Sequence, residues 1–254
     1  MHGSLSCAPC LENAIPTHAT TAAATPILRW GAGLLKLDLL SGSTAGRAAA
    51  ALEFGGAAEA VIAASGNAAI AAAGRARACG VRLSVAPRGV FTHEMRETLQ
   101  LWGVRLDPLA RPTLAPLDSD AAVPLFAHTL GAELLAQLDV PPPLVVCAAG
   151  ERAALLGALQ ALRGRWPAVR GVALVAADEE LPDLPREVAL PDGIERFSVA
   201  RADAALARSR VARELGLLAS HASAAAAVYA HQHGGVALIT APGEREFSLE
   251  QRGP

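Results

Sequence analysis

The chain has 254 residues, of which 52% are hydrophobic and only 4% aromatic, and its formal net charge is -2. This length suits one large α/β domain or two small ones, and the apolar fraction supplies an ample aliphatic core. The near-neutral charge argues against a nucleic-acid partner or an anionic membrane surface. The sequence has no signal-peptide pattern and no apolar run that would span a bilayer, so we expect a soluble cytoplasmic protein.

Short apolar runs alternate with alanine-rich helical patterns along the chain. The predicted strands are 33–40, 60–64, 81–86, 144–148, 171–176 and 236–240. The predicted helices are 43–54, 67–79, 93–102, 123–138, 152–163, 201–215 and 222–233. This alternation predicts an α/β fold, with parallel strands covered by helices on both faces. The proline-rich segments 105–122 and 181–192 are predicted connections.

The four cysteines fall into two groups. Cys7 and Cys10 have the spacing of a zinc or redox pair, but the sequence has no second pair and they lie in the N-terminal arm, residues 1–24. A flexible tail is therefore favoured there over a metal or redox site. Cys79 and Cys147 lie in apolar surroundings, and we expect both to be buried, reduced thiols.

Polar and glycine-containing motifs follow the predicted strands, at the positions where open α/β sheets bind ligands. In chain order these motifs are Thr25-Pro26, Lys36-Leu37-Asp38, Gly42-Ser43-Thr44-Ala45-Gly46-Arg47, Ser65-Gly66-Asn67, Ala148-Ala149-Gly150-Glu151, Ala222-Ser223-Ala224 and Gly243-Glu244-Arg245-Glu246. Their order and spacing resemble those of the fold-type II pyridoxal-phosphate (PLP) enzymes, the family of cysteine synthase, threonine dehydratase and the tryptophan synthase β-chain. The resemblance spans about residues 25–250.

This resemblance implies a tryptophan synthase β-like PLP fold over residues 25–254, with parallel sheets flanked by helices. It further implies a small subdomain, roughly residues 43–122, inserted in a larger one. The chain is short for the family, and the missing part falls around residues 108–122. We therefore expect a trimmed small subdomain.

The resemblance also locates a departure from the family. The position of the lysine that forms the Schiff base with PLP is occupied by Ala45, whose methyl group can neither hold the aldehyde nor move a proton. Lys36 is the only lysine in the sequence. It is either a structural residue at a strand end or a substitute nucleophile, and an extended span of nine residues reaches up to ~30 Å. The structural interpretation is favoured.

The phosphate-binding stretch of the family corresponds to residues 145–151, where Gly150 is the only glycine. The Cβ atoms of Ala148 and Ala149 would obstruct a close approach of a phosphate to the backbone, and Glu151 adds a like charge. This departure is independent of Ala45 and also predicts weakened cofactor binding.

The remaining candidate residues come from the same resemblance. Ser65, Gly66, Asn67, Gly150 and Ser223 are the candidate cofactor-binding residues, with Asn67 placed at the ring hydroxyl and Ser223 at the ring nitrogen. A substrate or ligand cleft would be lined by Ser43, Thr44 and Asn67. Asn67 could equally cap a helix, because asparagine is favoured at that position.

These observations predict a degenerate family member, a pseudoenzyme without covalent PLP chemistry that acts by binding or by supporting a partner. PLP itself would bind non-covalently and weakly. The alternative is a PLP-dependent lyase or synthase of amino-acid metabolism with altered cofactor binding. A homodimer or a protein partner is expected, as in the family, and no metal is expected because His231 and His233 would point apart on a helix.

Overall fold

The computed structural model describes residues 24–41, 57–114, 116 and 119–246. Its strands are β1 (Ile27–Trp30), β2 (Gly33–Lys36), β3 (Glu59–Ala64), β4 (Arg82–Pro87), β5 (Arg105–Leu106), β6 (Leu144–Ala148), β7 (Arg170–Ala176), β8 (Ile194–Val199) and β9 (Gly235–Leu238). Its α-helices are α1 (Gly66–Ala78), α2 (His93–Leu101), α3 (Val123–Phe126), α4 (Ala132–Gln137), α5 (Arg152–Arg165), α6 (Arg201–Leu215) and α7 (His221–His233). A π-helical turn, Ala127–Gly131, joins α3 to α4.

The larger sheet of the described residues has the strand order β1-β2-β9-β6-β7-β8. β1 and β2 form an antiparallel hairpin, in which Gly31 adopts a left-handed φ of 58°. The other neighbouring pairs are parallel. The carboxyl ends of β6, β7 and β9 therefore meet at one edge of this sheet, where ligands bind in open α/β folds.

The smaller sheet consists of β3, β4 and β5, all parallel. Its buried residues, such as Ile62 and Val85, belong to the same hydrophobic core as Val145 of the larger sheet and Leu155 of helix α5. A second core lies between the other face of the larger sheet and helices α6 and α7. Helices thus cover both faces of the larger sheet, as the alternating pattern predicted.

The high alanine content has a packing consequence that is clearest at α7. The buried residues of this helix are mostly alanines, and a Cβ built on Gly33 of β2 would lie 2.6 Å from the backbone of Ala230. Small side chains on both elements therefore let the helix lie directly on the strand, a close contact that larger side chains would prevent.

Most predicted elements are confirmed, and the differences have physical reasons. The sequence prediction missed β1, β5 and β8. β8 is an edge strand whose residues are largely exposed, so its charged residues hide the apolar pattern. The predicted strand 33–40 ends at Lys36 and continues as the 3₁₀ turn Asp38–Ser41. The predicted helix 43–54 lies outside the described residues.

The two described cysteines behave differently. Cys147 is buried on β6, as predicted. The prediction for Cys79 is wrong, because this residue follows the last turn of α1 and is exposed, next to Gly80 with its left-handed φ of 72°. Cys7 and Cys10 lie outside the described residues. Within the described part of the chain, no helix has the length and apolar character needed to cross a membrane.

Candidate functional site

The predicted cofactor-binding residues lie at strand-to-helix turns of both sheets. Ser65 follows β3 and occupies the N-cap position of α1, Gly66 and Asn67 begin that helix, and Asn67 is fully buried. Gly150 lies in the 3₁₀ turn Ala149–Glu151 that follows β6. The side chain of Asn67 does not cap the helix, so the capping interpretation is wrong. It points instead towards a residue that the sequence prediction left out.

That residue is Asp183, a buried aspartate in the connection after β7. Its carboxylate oxygens accept a hydrogen bond of 2.6 Å from Asn67 Nδ2 and one of 3.3 Å from Ser65 Oγ. Its carbonyl oxygen accepts a hydrogen bond of 2.9 Å from the Gly150 amide. Asp183 therefore connects the start of α1, which follows β3 of the smaller sheet, with the turn that follows β6 of the larger sheet.

Gly150 packs tightly against the backbone of Asp183. A Cβ at position 150 would lie 2.7 Å from Asp183 Cα and 2.8 Å from its carbonyl oxygen, so only glycine fits here. The glycine that the family resemblance assigned to the cofactor phosphate is thus in contact with the protein's own chain. Ala148 and Ala149 are buried as well, and they add no open backbone surface.

Two carboxylates close to this turn affect the thiol on β6. Burial raises the pKa of the Cys147 thiol well above its usual range, and the charges of Glu151 and Asp183 raise it further. The thiol is therefore protonated and unreactive in the folded protein at neutral pH. Glu151 is itself buried, in the turn that the family resemblance assigns to the cofactor phosphate.

Ser223 is buried in the first turn of α7, and its hydroxyl ties that helix to the end of β9. The oxygen accepts hydrogen bonds of 3.1 Å from the Thr240 amide and 3.2 Å from the Ala241 amide, and it lies 3.2 Å from Thr240 Oγ1. Both lone pairs are used, so one hydroxyl proton remains to be shared between Thr240 and any ring nitrogen. The residue has a structural role that the family resemblance did not indicate.

Lys36 has the structural role that we favoured. Its ammonium group is completely buried and donates hydrogen bonds of 2.6 Å to Thr25 O, 2.7 Å to Glu133 Oε2 and 2.7 Å to Gln137 Oε1. Three acceptors match the three N–H donors of an ammonium group. We call Thr25, Lys36, Asp38, Glu133 and Gln137 the Lys36 network; it holds β2 to helix α4.

A histidine–carboxylate pair at the start of α7 was missed by the sequence analysis. Glu246 Oε2 accepts hydrogen bonds from both the Nδ1 and the main-chain amide of His221, at 2.5 and 2.9 Å. Both side chains are buried, and the 3₁₀ turn that carries Glu246 contacts α2 of the smaller sheet. A carboxylate that fixes one ring nitrogen of a histidine leaves the other available for proton transfer.

The other candidates have different outcomes. Ser43, Thr44 and Ala45 lie outside the described residues, so the cleft that they were predicted to line stays a prediction. His231 stacks on Trp30 with ring centroids 4.4 Å apart, whereas His233 packs on Tyr229. Among the described residues, no group of three or more His, Cys, Asp or Glu side chains has an arrangement that could hold a metal ion.

Comparison with known proteins gives matches among solved structures only; no family model and no curated protein matches the chain. A lysine-to-alanine mutant of O-ureido-L-serine synthase with bound O-ureido-L-serine is 22% identical, with a TM-score of 0.71 over 88% of this chain and 89% of that one. An O-acetylserine-dependent cystathionine β-synthase from Helicobacter pylori is 16% identical, with a TM-score of 0.70 over 88% and 94% of the two chains.

A third match is a mutant of a hydrogen sulfide-producing enzyme in complex with an α-aminoacrylate intermediate. It is 14% identical, with a TM-score of 0.73 over 90% of this chain and 88% of that one. These three proteins are fold-type II PLP enzymes, and the agreement along most of each chain shows that this protein has the same fold. At such identities the likeness concerns the fold, and the function has to be argued from the residues.

Proposed function

We propose that this protein keeps the fold of a PLP enzyme without covalent PLP chemistry, and that it acts by binding a ligand or by supporting a protein partner. One observation carries this proposal. Lys36, the only lysine in the sequence, is buried with three acceptors within 2.7 Å of its Nζ. To attack an aldehyde it would have to lose a proton and leave all three hydrogen bonds.

Three further features support the same proposal. Ala45 stands where the family resemblance puts the Schiff-base lysine. Gly150, at the phosphate position, packs on the backbone of Asp183, and the amide nitrogen of Asn67 is bonded to the carboxylate of that residue. The described residues thus do not fit covalently held PLP, and any PLP that binds is expected to do so weakly.

The test is a titration of the purified protein with PLP, followed by visible absorbance, borohydride reduction and peptide mass analysis. We expect no reducible adduct on Lys36. The variant Ala45→Lys is the matched comparison, because it returns an amine to the position at which the family holds the aldehyde. A pyridoxyl group fixed on Lys36 of the unmodified protein would overturn the proposal.

The buried His221–Glu246 pair favours a second candidate, a PLP-dependent lyase or synthase with altered cofactor binding. Such a pair can take up and return a proton, which β-replacement and elimination reactions require. The test is turnover of β-substituted amino acids with and without added PLP. Turnover that is lost in both His221→Gln and Asn67→Ala would support this candidate, and its absence under both conditions would contradict it.

A homodimer or another protein partner is part of the proposal. Leu101, the last residue of α2, and Leu109, in the connection after β5, have exposed fractions of 82% and 91%, and such side chains could pack against another protein. Light scattering after size exclusion measures the oligomeric state. We expect Leu109→Ser to weaken self-association and Leu206→Ser, on α6 and 67% exposed, to leave it unchanged. A monomer at all concentrations would exclude the homodimer.

A further inference from the structure

Asp183 is the only described non-glycine residue with a left-handed backbone, at φ 61°. This conformation is unfavourable for an aspartate and persists only where the surroundings impose it. Here the surroundings are a tight turn between two buried leucines: Leu184 N donates to Leu181 O at 3.0 Å, and Leu181 N donates to Leu184 O at 3.3 Å. The two leucines anchor the turn, and the strained aspartate stands at its tip.

The tip faces a place that is suited to an anion. Ser65 Oγ and Asn67 Nδ2 both donate to the Asp183 carboxylate, and both residues lie at the N-terminus of α1, a helix of 13 residues. The positive end of a helix dipole stabilises a negative group there. The carboxylate of Asp183 therefore occupies a position in which a phosphate or a carboxylate from outside would find the same donors.

Asn67 Oδ1 shows that Asp183 fills this position incompletely. The atom is buried, and no donor among the described residues reaches it. A buried acceptor without a partner destabilises the folded protein. A carboxylate supplies only acceptors to the asparagine amide, whereas an anion that also carries an O–H or N–H group would satisfy both ends.

We propose that Asp183 is an internal ligand, which occupies the anion position of the cleft and must leave before an external anion binds. This inference rests on the proposed function, since it concerns the same cleft. The turn also contacts the backbone of Gly150, which follows β6 of the larger sheet. When Asp183 moves away, the hydrogen bond between Gly150 and Asp183 is therefore lost as well. The tight turn is then a built-in regulator of the cleft, and ligand affinity is set by competition with Asp183.

The experiment compares Asp183→Gly, Asp183→Asn and the unmodified protein by calorimetric titration with inorganic phosphate, PLP and pyridoxal. Glycine accepts the left-handed backbone and removes the carboxylate, whereas asparagine keeps the shape and removes the charge. Asp192→Asn is the matched control, because Asp192 also follows a proline in this connection and is exposed. We expect phosphate and PLP to bind at least tenfold more tightly to Asp183→Gly, less so to Asp183→Asn, and unchanged to Asp192→Asn.

Pyridoxal distinguishes an effect on the phosphate from an effect on the ring, because it has the ring without the phosphate. We expect its affinity for Asp183→Gly to be close to its affinity for the unmodified protein. Equal affinities of the unmodified protein and both Asp183 variants for phosphate and PLP would overturn the inference. Hydrogen exchange on the unmodified protein provides a measurement that needs no variant: saturating PLP should speed exchange of the Leu184 amide, and unchanged or slower exchange contradicts displacement of the turn. An imine on Lys36 in any variant would refute the proposed function and leave the Asp183 inference standing.

Discussion

The Lys36 network and the cluster around Asp183 are both buried and polar, but their central groups, the Lys36 ammonium group and the strained Asp183, differ in how they are held. Every ammonium proton of Lys36 has an acceptor at 2.6–2.7 Å. The Asp183 cluster, by contrast, contains a left-handed aspartate and an Asn67 oxygen that no donor among the described residues reaches. A fully paired ammonium group stabilises one structure, whereas a strained and partly paired cluster marks a place where another partner can bind.

This difference indicates which of the two clusters is structural and which has the properties of a binding site. Lys36 is locked between β2 and α4. Asp183 links two sheets that share no strand pairing among the described residues, and an outside anion could replace its carboxylate as acceptor for Ser65 and Asn67. If the comparison is right, substitutions in the first cluster change stability most, and substitutions in the second change stability less and binding more.

The largest effect is expected for Lys36→Met, which leaves the Glu133 carboxylate without its cation. Removing one partner of a buried ion pair costs about 3–5 kcal/mol, and the low end applies because the Glu133 side chain is 15% exposed. Urea unfolding measures the loss. The double variant Lys36→Met/Glu133→Gln should recover part of it, since it removes the stranded charge. A loss below about 1 kcal/mol in the single variant would show that the network is not a stabilising unit.

A smaller loss is expected for Gly150→Ala, which tests the contact between the two sheets. The added methyl would lie within 2.9 Å of three backbone atoms of Asp183, so the turn has to move, at a cost of about 1–3 kcal/mol. Gly164→Ala is the control, because Gly164 lies in α5 with open space around it and alanine favours helix there by about 1 kcal/mol. In thermal unfolding, we expect the Tm of Gly150→Ala to be lower, and that of Gly164→Ala higher, than the Tm of the unmodified protein. A Gly150→Ala protein as stable as the original would mean that Asp183 is not packed against this turn.

Much of the fold was predictable, because its core strands and helices have strong local patterns. The apolar run 144–148 coincides with β6, and the periodic stretch 201–215 coincides with α6. β8 was missed because an exposed edge strand has no alternating apolar pattern. The family resemblance located Ser65, Asn67 and Gly150, and the structure brings all three to Asp183.

The partners of these residues were not predictable, since they are far apart in sequence. Asp183 is 116 positions from Asn67, and Glu133 is 97 positions from Lys36. Neither contact leaves a local pattern, and a proline- and acid-rich connection is typical of solvent-exposed chain. One signal was present: Leu181 and Leu184 flank Pro182-Asp183 in an otherwise polar segment, which indicates a turn that packs back onto the protein.

Asn67→Leu should cost less than either substitution above, about 1 kcal/mol. It removes the hydrogen bond to Asp183, but it also removes a buried oxygen that has no donor in the described part of the chain, so the two effects partly cancel. In the double variant Asp183→Gly/Asn67→Leu, the loss of the Asn67 amide should abolish the gain in phosphate affinity that Asp183→Gly produces alone. If Asn67→Leu lowered the free energy of unfolding as much as Lys36→Met does, the cluster around Asp183 would be as important for stability as the Lys36 network, which contradicts the comparison.

The smallest effect is expected for Cys147, whose thiol pKa is raised in part by carboxylates of both clusters. Burial is the main cause of its raised pKa, and Glu151, Asp183 and Asp38 add to it. The unfolded chain therefore loses the thiol proton at a lower pH than the folded protein, so this thiol's contribution to stability is complete below the ordinary thiol pKa of about 8.5 and falls as the pH rises above it. Cys147→Ala lacks this contribution at every pH. The stability advantage of the unmodified protein over Cys147→Ala, measured by urea unfolding, should narrow by at most about 1.4 kcal/mol per pH unit. A constant difference from pH 7 to 10 would show that the pKa of this thiol is not raised in the folded protein.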